Sequence, residues 1–165
     1  FPSQAISSLL TIPEKAKKVP SISSSLFQNG YHTSFYYGGE SDFFNFRSFI
    51  LNKDYKRIVD IRDFERKDVN SKWGAHDDVV LKRLLNDLKD EPQPFFSTVL
   101  TLSNHEPFEI PVESHFPGND ITDKFRSTAR RGVGHNRPKW RWHPAWRDPR
   151  SCRPRVAAGS PRTAR

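Results

Sequence analysis

The spacing of apolar and polar positions divides the first hundred residues into short segments of alternating type. "SISSSLFQNG" (21–30) reads as a short helix closed by Gly30, because glycine readily takes the left-handed backbone that helix C-termini often need. "YHTSFYY" (31–37) is aromatic and β-branched, which suits a strand, and it stops at Gly38-Gly39. In "SDFFNFRSFILN" (41–52), Phe43, Phe46, Phe49 and Ile50 recur at helical spacing behind Ser41 or Asp42 as N-cap. The aromatic cluster Phe43, Phe44, Phe46 and Phe49 is most simply read as core.

"KRIVDI" (56–61) predicts a second strand, and "NSKWGAHDD" (70–78) a loop whose final Asp77 and Asp78 suit a helix N-terminus, where backbone N–H groups lack partners. The strongest helical pattern spans 78–90, with Val80, Leu81, Leu84, Leu85 and Leu88 on one stripe. "EPQP" stops it. "FFSTVLTLS" (95–103) is almost continuously apolar and β-branched and predicts a buried strand. Helix and strand thus alternate three times. That order implies an α/β fold with a largely parallel sheet, whose ligands gather beyond the carboxyl ends of the strands. His105 follows one such end, and Gly38, Gly39 and Glu40 follow another.

Composition changes this picture in one respect. The net charge of +8 would suggest a nucleic-acid or membrane-surface partner, yet residues 1–129 hold 16 Lys and Arg against 18 Asp and Glu, whereas residues 130–165 hold 11 against 1. The basicity belongs to the last 36 residues, which also carry five prolines, three of the four tryptophans and Cys152, with no sustained apolar period. We therefore divide the chain at 129/130, and expect the Arg/Pro/Trp-rich segment 130–165 to be out-of-frame or disordered sequence. The chain has no methionine, so it reads as a processed or excised piece. No apolar run reaches the roughly eighteen residues of a membrane span, and one cysteine excludes an internal disulfide.

Four stretches, "SISSSLFQNGYHTSFYYGG", "SKWGAHDDVVLKRLLNDL", "QPFFSTVLTLSNHEPFEIP" and "DKFRSTA", resemble in that order the lipoteichoic-acid-synthase branch of the sulfatase and alkaline-phosphatase superfamily. The resemblance covers residues 1–129 and rests most on S-N-H-x-P-F together with W-G-x-x-D. It implies part of an α/β/α sandwich with a largely parallel sheet. It also implies a phosphoglycerol transferase, or a phosphate or sulfate ester hydrolase, that works through a covalent threonine with a divalent metal, manganese or another. The implied substrate is a phospholipid or a phosphate or sulfate ester. The implied location is the extracytoplasmic face of a bacterial membrane, with the anchor outside this chain.

Carried over by position, the resemblance makes His105 a substrate-phosphate or glycerol contact. It also puts Arg47 near a substrate-binding Trp-Asn-Arg stretch, although Phe44 stands in place of the tryptophan and Arg47 falls one position late. The family's nucleophile and acidic ligand would precede Phe1, and its Asp-His metal pair would follow "FRSTA". Residues 1–129 are thus expected to supply a pocket wall, with no catalytic residue and no metal ligand. Read from the residues alone, His76 caps or abuts the following helix, Trp73 is a packing anchor, and His32 is structural. Arg47 could instead pair with Asp42 or Glu40. Two other readings are a basic nucleic-acid-binding protein acting through the tail, and a noncatalytic member of the same fold that binds glycans or lipid headgroups. No specific nucleic-acid partner is expected.

Overall fold

The structure, a computed structural model, describes residues 12–109, 116 and 118–134. Within them lie five α-helices and three strands. In chain order these are α1 (Pro13–Lys18), α2 (Ile22–Gln28), β1 (His32–Tyr37), α3 (Phe46–Leu51), β2 (Arg57–Val59), α4 (Asp77–Asp87), β3 (Phe95–Leu100) and α5 (Ile121–Gly134). Short 3-10 turns, Phe43–Asn45 and Ile61–Asp63, precede α3 and follow β2. The strands form one sheet in the order β2-β1-β3, and both pairings are parallel. This is the α/β arrangement expected from the alternating pattern.

β1 is central because its residues can be buried on both faces. Thr33, Phe35 and Tyr37 point to one face, where Phe35 packs edge-on against Phe46 of α3 (ring centroids 5.5 Å apart) and Tyr55 (5.3 Å). Ser34 and Tyr36 point to the other. There the buried Tyr36 joins Val59, Ala75 and Val80, with Phe64, Val79, Leu84 and Val99 packed around them. Helices therefore cover both faces, as in an α/β/α sandwich. The Tyr36 hydroxyl donates to Asp87 at the end of α4 (3.0 Å). Burial, and then this bond, push its pKa up to about 12.

Local chemistry accounts for the element boundaries. Ser21 caps α2 by accepting from the Ser24 amide (3.1 Å), and Gly30 ends the segment with φ +82°. Pro13 opens α1. Its C-terminal carbonyls are met by the buried Lys53, whose Nζ donates to the Ala16 and Val19 oxygens (2.5 Å each) and ties α1 to the end of α3.

Four expectations need correction. The 95–103 strand is not buried: β3 lies at an edge of the described sheet, its residues are half-buried and Leu100 is 39% exposed. The 41–52 segment is not one helix, because Asn45 takes a left-handed backbone (φ 61°) that separates the 3-10 turn from α3. Phe43 is not core but 59% exposed, since it lies on the solvent side of that break. The Phe44 side chain lies outside the described residues. On α4, the line facing the sheet is Val80, Leu84 and Asp87, which leaves Leu81 and Leu85 at 44% and 48% exposure. Neither α1 nor α5 was expected from the pattern. α5 spans the composition change at 129/130, and the rest of the tail lies outside the described residues. Among the described residues no helix is long and apolar enough to cross a membrane.

The tightest backbone approach lies above β1. Gly39 and Gly74 form an antiparallel bridge, and the Ala75 amide donates to the Gly38 carbonyl (2.9 Å). A Cβ on Gly74 would overlap the Gly38 carbonyl oxygen, and Gly74 also has φ +141°. Gly74→Ala is therefore expected to cost roughly 3 kcal/mol or more, from strain and overlap together. Gly30→Ala, where a Cβ meets open space, should cost only about 1 kcal/mol, from its positive φ. Urea midpoints of the two variants check this, and equal midpoints would refute the close approach.

Candidate functional site

Each strand ends in a loop on the same edge of the sheet, as a parallel sheet requires. The loop after β3 carries His105. It is fixed at its root by Asp77, the first residue of α4, whose carboxylate accepts from the Leu102 amide (2.6 Å) and the Ser103 amide (3.2 Å). In return the Ser103 hydroxyl accepts from the Asp77 amide (2.8 Å), and it also bonds His76 Nδ1 (3.2 Å). Asp77 thus reaches across to a neighbouring loop. An anionic acceptor that meets two amides makes a strong, short-range clamp.

Further out, the His105 ring lies edge-on to Trp73 (centroids 4.7 Å apart), and the Trp73 indole N–H donates to the Glu106 carbonyl (2.5 Å). The Lys72 amide donates to Glu109 (2.6 Å). α5 closes the other side: Thr128 donates to the Asn104 side chain (2.7 Å), and Phe125 packs edge-on against Phe108 (5.5 Å). Phe108 has a left-handed backbone (φ 58°), held by its amide bond to the His105 carbonyl (2.8 Å). His105 itself is exposed. With Ser71, Trp73, His76, Leu102, Ser103, Pro107 and Glu109 it lines a notch of about 10 Å³, roughly room for a single water.

Arg47 lies in a second group, above β2 and β1. Its Nη1 donates to the buried Asp60 (3.2 Å) and is 3.4 Å from the Ser41 hydroxyl. It pairs with neither Asp42 nor Glu40. Asp42 instead pairs with Arg62 (3.0 Å), and Arg62 also donates to Asp60 and forms a pair with it (2.5 Å). Ser41, expected as a helix cap, donates to Asp60 (2.5 Å). Burial alone would raise the Asp60 pKa, but the hydrogen bonds from Arg62 and Ser41 and the Arg62 charge outweigh it and bring the pKa down to about 2. Arg47 lines an open polar groove of about 400 Å³ with Asp42, Asn45, Ser48, Leu51 and Asn52. It shares no lining residue with the His105 notch.

The two residues singled out from sequence therefore sit on one edge of the sheet but in separate depressions. Sequence reasoning missed the clamp by Asp77 and the hub at Asp60. The available signal was an acidic residue placed directly after a strand or at a helix start, at the edge where ligands gather. His76 does occupy the N-cap position of α4, without a side-chain cap, as expected of a residue abutting that helix. His32 is exposed at the start of β1. Among the described residues no group of three or more His, Cys, Asp or Glu could hold a metal ion, so these residues do not by themselves fit the implied divalent metal.

Residues 1–136 match the Sulfatase family model. The chain belongs to the Sulfatase family. Among curated proteins, this Sulfatase chain is 29% identical over 112 residues to lipoteichoic acid synthase-like YvgJ of Bacillus subtilis (strain 168), an alignment covering 64% of the chain and 18% of that protein. It is 32% identical over 89 residues to phosphoglycerol transferase I of Xanthomonas campestris pv. campestris (strain B100), covering 50% and 13%. A solved alkaline phosphatase superfamily protein from Vibrio parahaemolyticus superposes with a TM-score of 0.59 at 27% identity, covering 74% of this chain and 33% of that one. The lipoteichoic acid synthase LtaP of Listeria monocytogenes, at 22% identity and TM-score 0.58, covers 67% and 29% and shares the fold. The chain spans less than a fifth of the length of these curated relatives.

The low pKa of Asp60 makes stability depend on pH. A carboxyl depressed from 3.8 to about 2 contributes roughly 2 kcal/mol that is fully present above pH 3.8 and is lost as pH falls through 2. Denaturant unfolding of the chain and of Asp60→Asn, at pH values from about 5 down to 2, should show the wild type losing roughly 2 kcal/mol more than the variant. Parallel losses would remove Asp60 as the hub.

Proposed function

We propose that this chain forms a substrate-facing wall in a lipoteichoic acid synthase-like phosphoglycerol transferase, with His105 and Arg47 as substrate contacts. The reading is carried by one observation: an exposed imidazole, past the carboxyl end of a parallel strand, stands on a loop whose root is clamped by a carboxylate. Membership of the Sulfatase family and likeness to a phosphoglycerol transferase and a lipoteichoic acid synthase-like protein support it. The substrate class is a phospholipid or another phosphate or sulfate ester, met on the extracytoplasmic side of a membrane.

In transfer at phosphorus, charge shifts among the non-bridging, attacking and leaving oxygens, so catalysis rests on positioned hydrogen-bond partners. His105 would hold a glycerol hydroxyl or phosphate oxygen, and Arg47 would present its guanidinium to anionic substrate from the neighbouring groove. The threonine nucleophile and divalent metal belong to this proposal for the whole enzyme. Among the described residues no cluster of three or more His, Cys, Asp or Glu stands ready to hold that metal.

His105→Ala in the whole enzyme should lower kcat/KM by roughly three- to a hundredfold, the low end being the worth of one hydrogen bond to a neutral hydroxyl and the high end that of one to a charged oxygen. Thermal unfolding should be little changed, since the ring is exposed. Unchanged kcat/KM on a phosphoglycerol donor would take His105 out of the substrate site. The chain assayed alone should give no manganese-stimulated phosphodiesterase turnover, and measurable turnover would show that it carries its own reactive centre.

A further inference from the structure

Two donors meet at one backbone oxygen beside His105. The Glu106 carbonyl accepts from the Trp73 indole N–H (2.5 Å) and lies 2.9 Å from His105 Nδ1. A carbonyl can only accept, so the His105 nitrogen facing it must carry a proton. The indole N–H likewise has no acceptor role. Two independent bonds on one oxygen, together with the edge-on stacking of the two rings at 4.7 Å, define both the plane of the imidazole and its protonated nitrogen.

Trp73 can impose this geometry because it is anchored elsewhere. Its turn is closed by the Ser71 hydroxyl, which donates to the Gly74 carbonyl (2.7 Å) while accepting from the Gly74 amide (3.1 Å). The Gly39–Gly74 bridge then fastens the turn to the end of β1. A second tie, from the Lys72 amide to Glu109, holds the far side of the His105 loop against the same turn. The loop is exposed, whereas the turn beside it is joined to the sheet.

We propose that Trp73 is a positioning residue that holds His105 in its Nδ1–H tautomer and so presents Nε2 to the substrate as a hydrogen-bond acceptor. A neutral imidazole fixed this way recognises a hydroxyl donor, such as a glycerol or acceptor hydroxyl, in preference to an unprotonated phosphate oxygen. The consequence for turnover rests on the reading of His105 as a substrate contact. The tautomer does not.

The test separates the two. Two-bond proton–nitrogen correlations on the full chain carrying 15N-histidine report which ring nitrogen of neutral His105 is protonated. Nδ1–H is expected in the wild type. Trp73→Phe, which keeps an aromatic edge and removes only the indole N–H, should shift His105 toward the Nε2–H form. In the whole enzyme it should lower kcat/KM about three- to tenfold, one neutral hydrogen bond's worth, and have no further effect when His105 is already alanine. An Nε2–H imidazole in the wild type overturns the proposal, and it does so even if Trp73→Phe does not fold. An unmoved tautomer in a folded Trp73→Phe also overturns it. If the tautomer behaves as expected while His105→Ala leaves turnover intact, the positioning stands and the substrate-contact reading falls.

Discussion

Gly38 and Gly74 come so close that neither could carry a side chain without overlapping backbone of the other segment. This contact decides where everything above the sheet is placed. It joins a turn some 35 residues downstream directly to the end of the central strand, with Ala75 buried beneath it and α4 starting two residues later. Trp73, His76 and Asp77 all follow from that placement. Each reaches from the joined turn to the loop after β3, through an indole bond, an imidazole–hydroxyl bond and a carboxylate clamp. Loosening the two glycines would release all three at once.

Two carboxylates then organise the edge of the sheet where a ligand would sit. Asp77 faces backbone amides, and its charge stiffens a loop. Asp60 faces Arg47, Arg62 and Ser41, so its charge fixes where two guanidinium groups lie. Burying a carboxylate is costly unless its lone pairs are met, and both are met with several donors. Arg47 and His105 are thus held by separate anchors over separate strands. A substrate spanning both would have to bridge the bottoms of two depressions, which suits an extended molecule better than a compact one.

How much of this was legible depended on the range of the interaction. The three strands and the helices α2 and α4 could be read because their causes are local: β-branched runs, a serine cap, an apolar stripe. His105 could be placed beyond a strand end for the same reason. The break at Asn45 could not, since one left-handed residue leaves no periodic trace. The buried line of α4 was read one step around the helix, because Asp87 occupies an inward position that hydrophobicity gives to leucine. It does so to meet Tyr36 and Arg57. The Asp60 hub joins residues from three segments, so nothing in their order along the chain declares it.

The central strand borders one partner whose matching residue is 23 positions later (Ser34 with Arg57) and another that is 63 positions later (Ser34 with Ser97). At a synthesis rate of roughly 5–20 residues per second, β3 leaves the ribosome about 3–13 s after β1. β2 follows β1 by 23 residues, so the described sheet is two strands wide for about 2–8 s of that interval, and during it one side of β1 is open to any other extended peptide nearby. The clamp, the notch and the His105 loop all form after this delay, later than the pairing of β1 with β2.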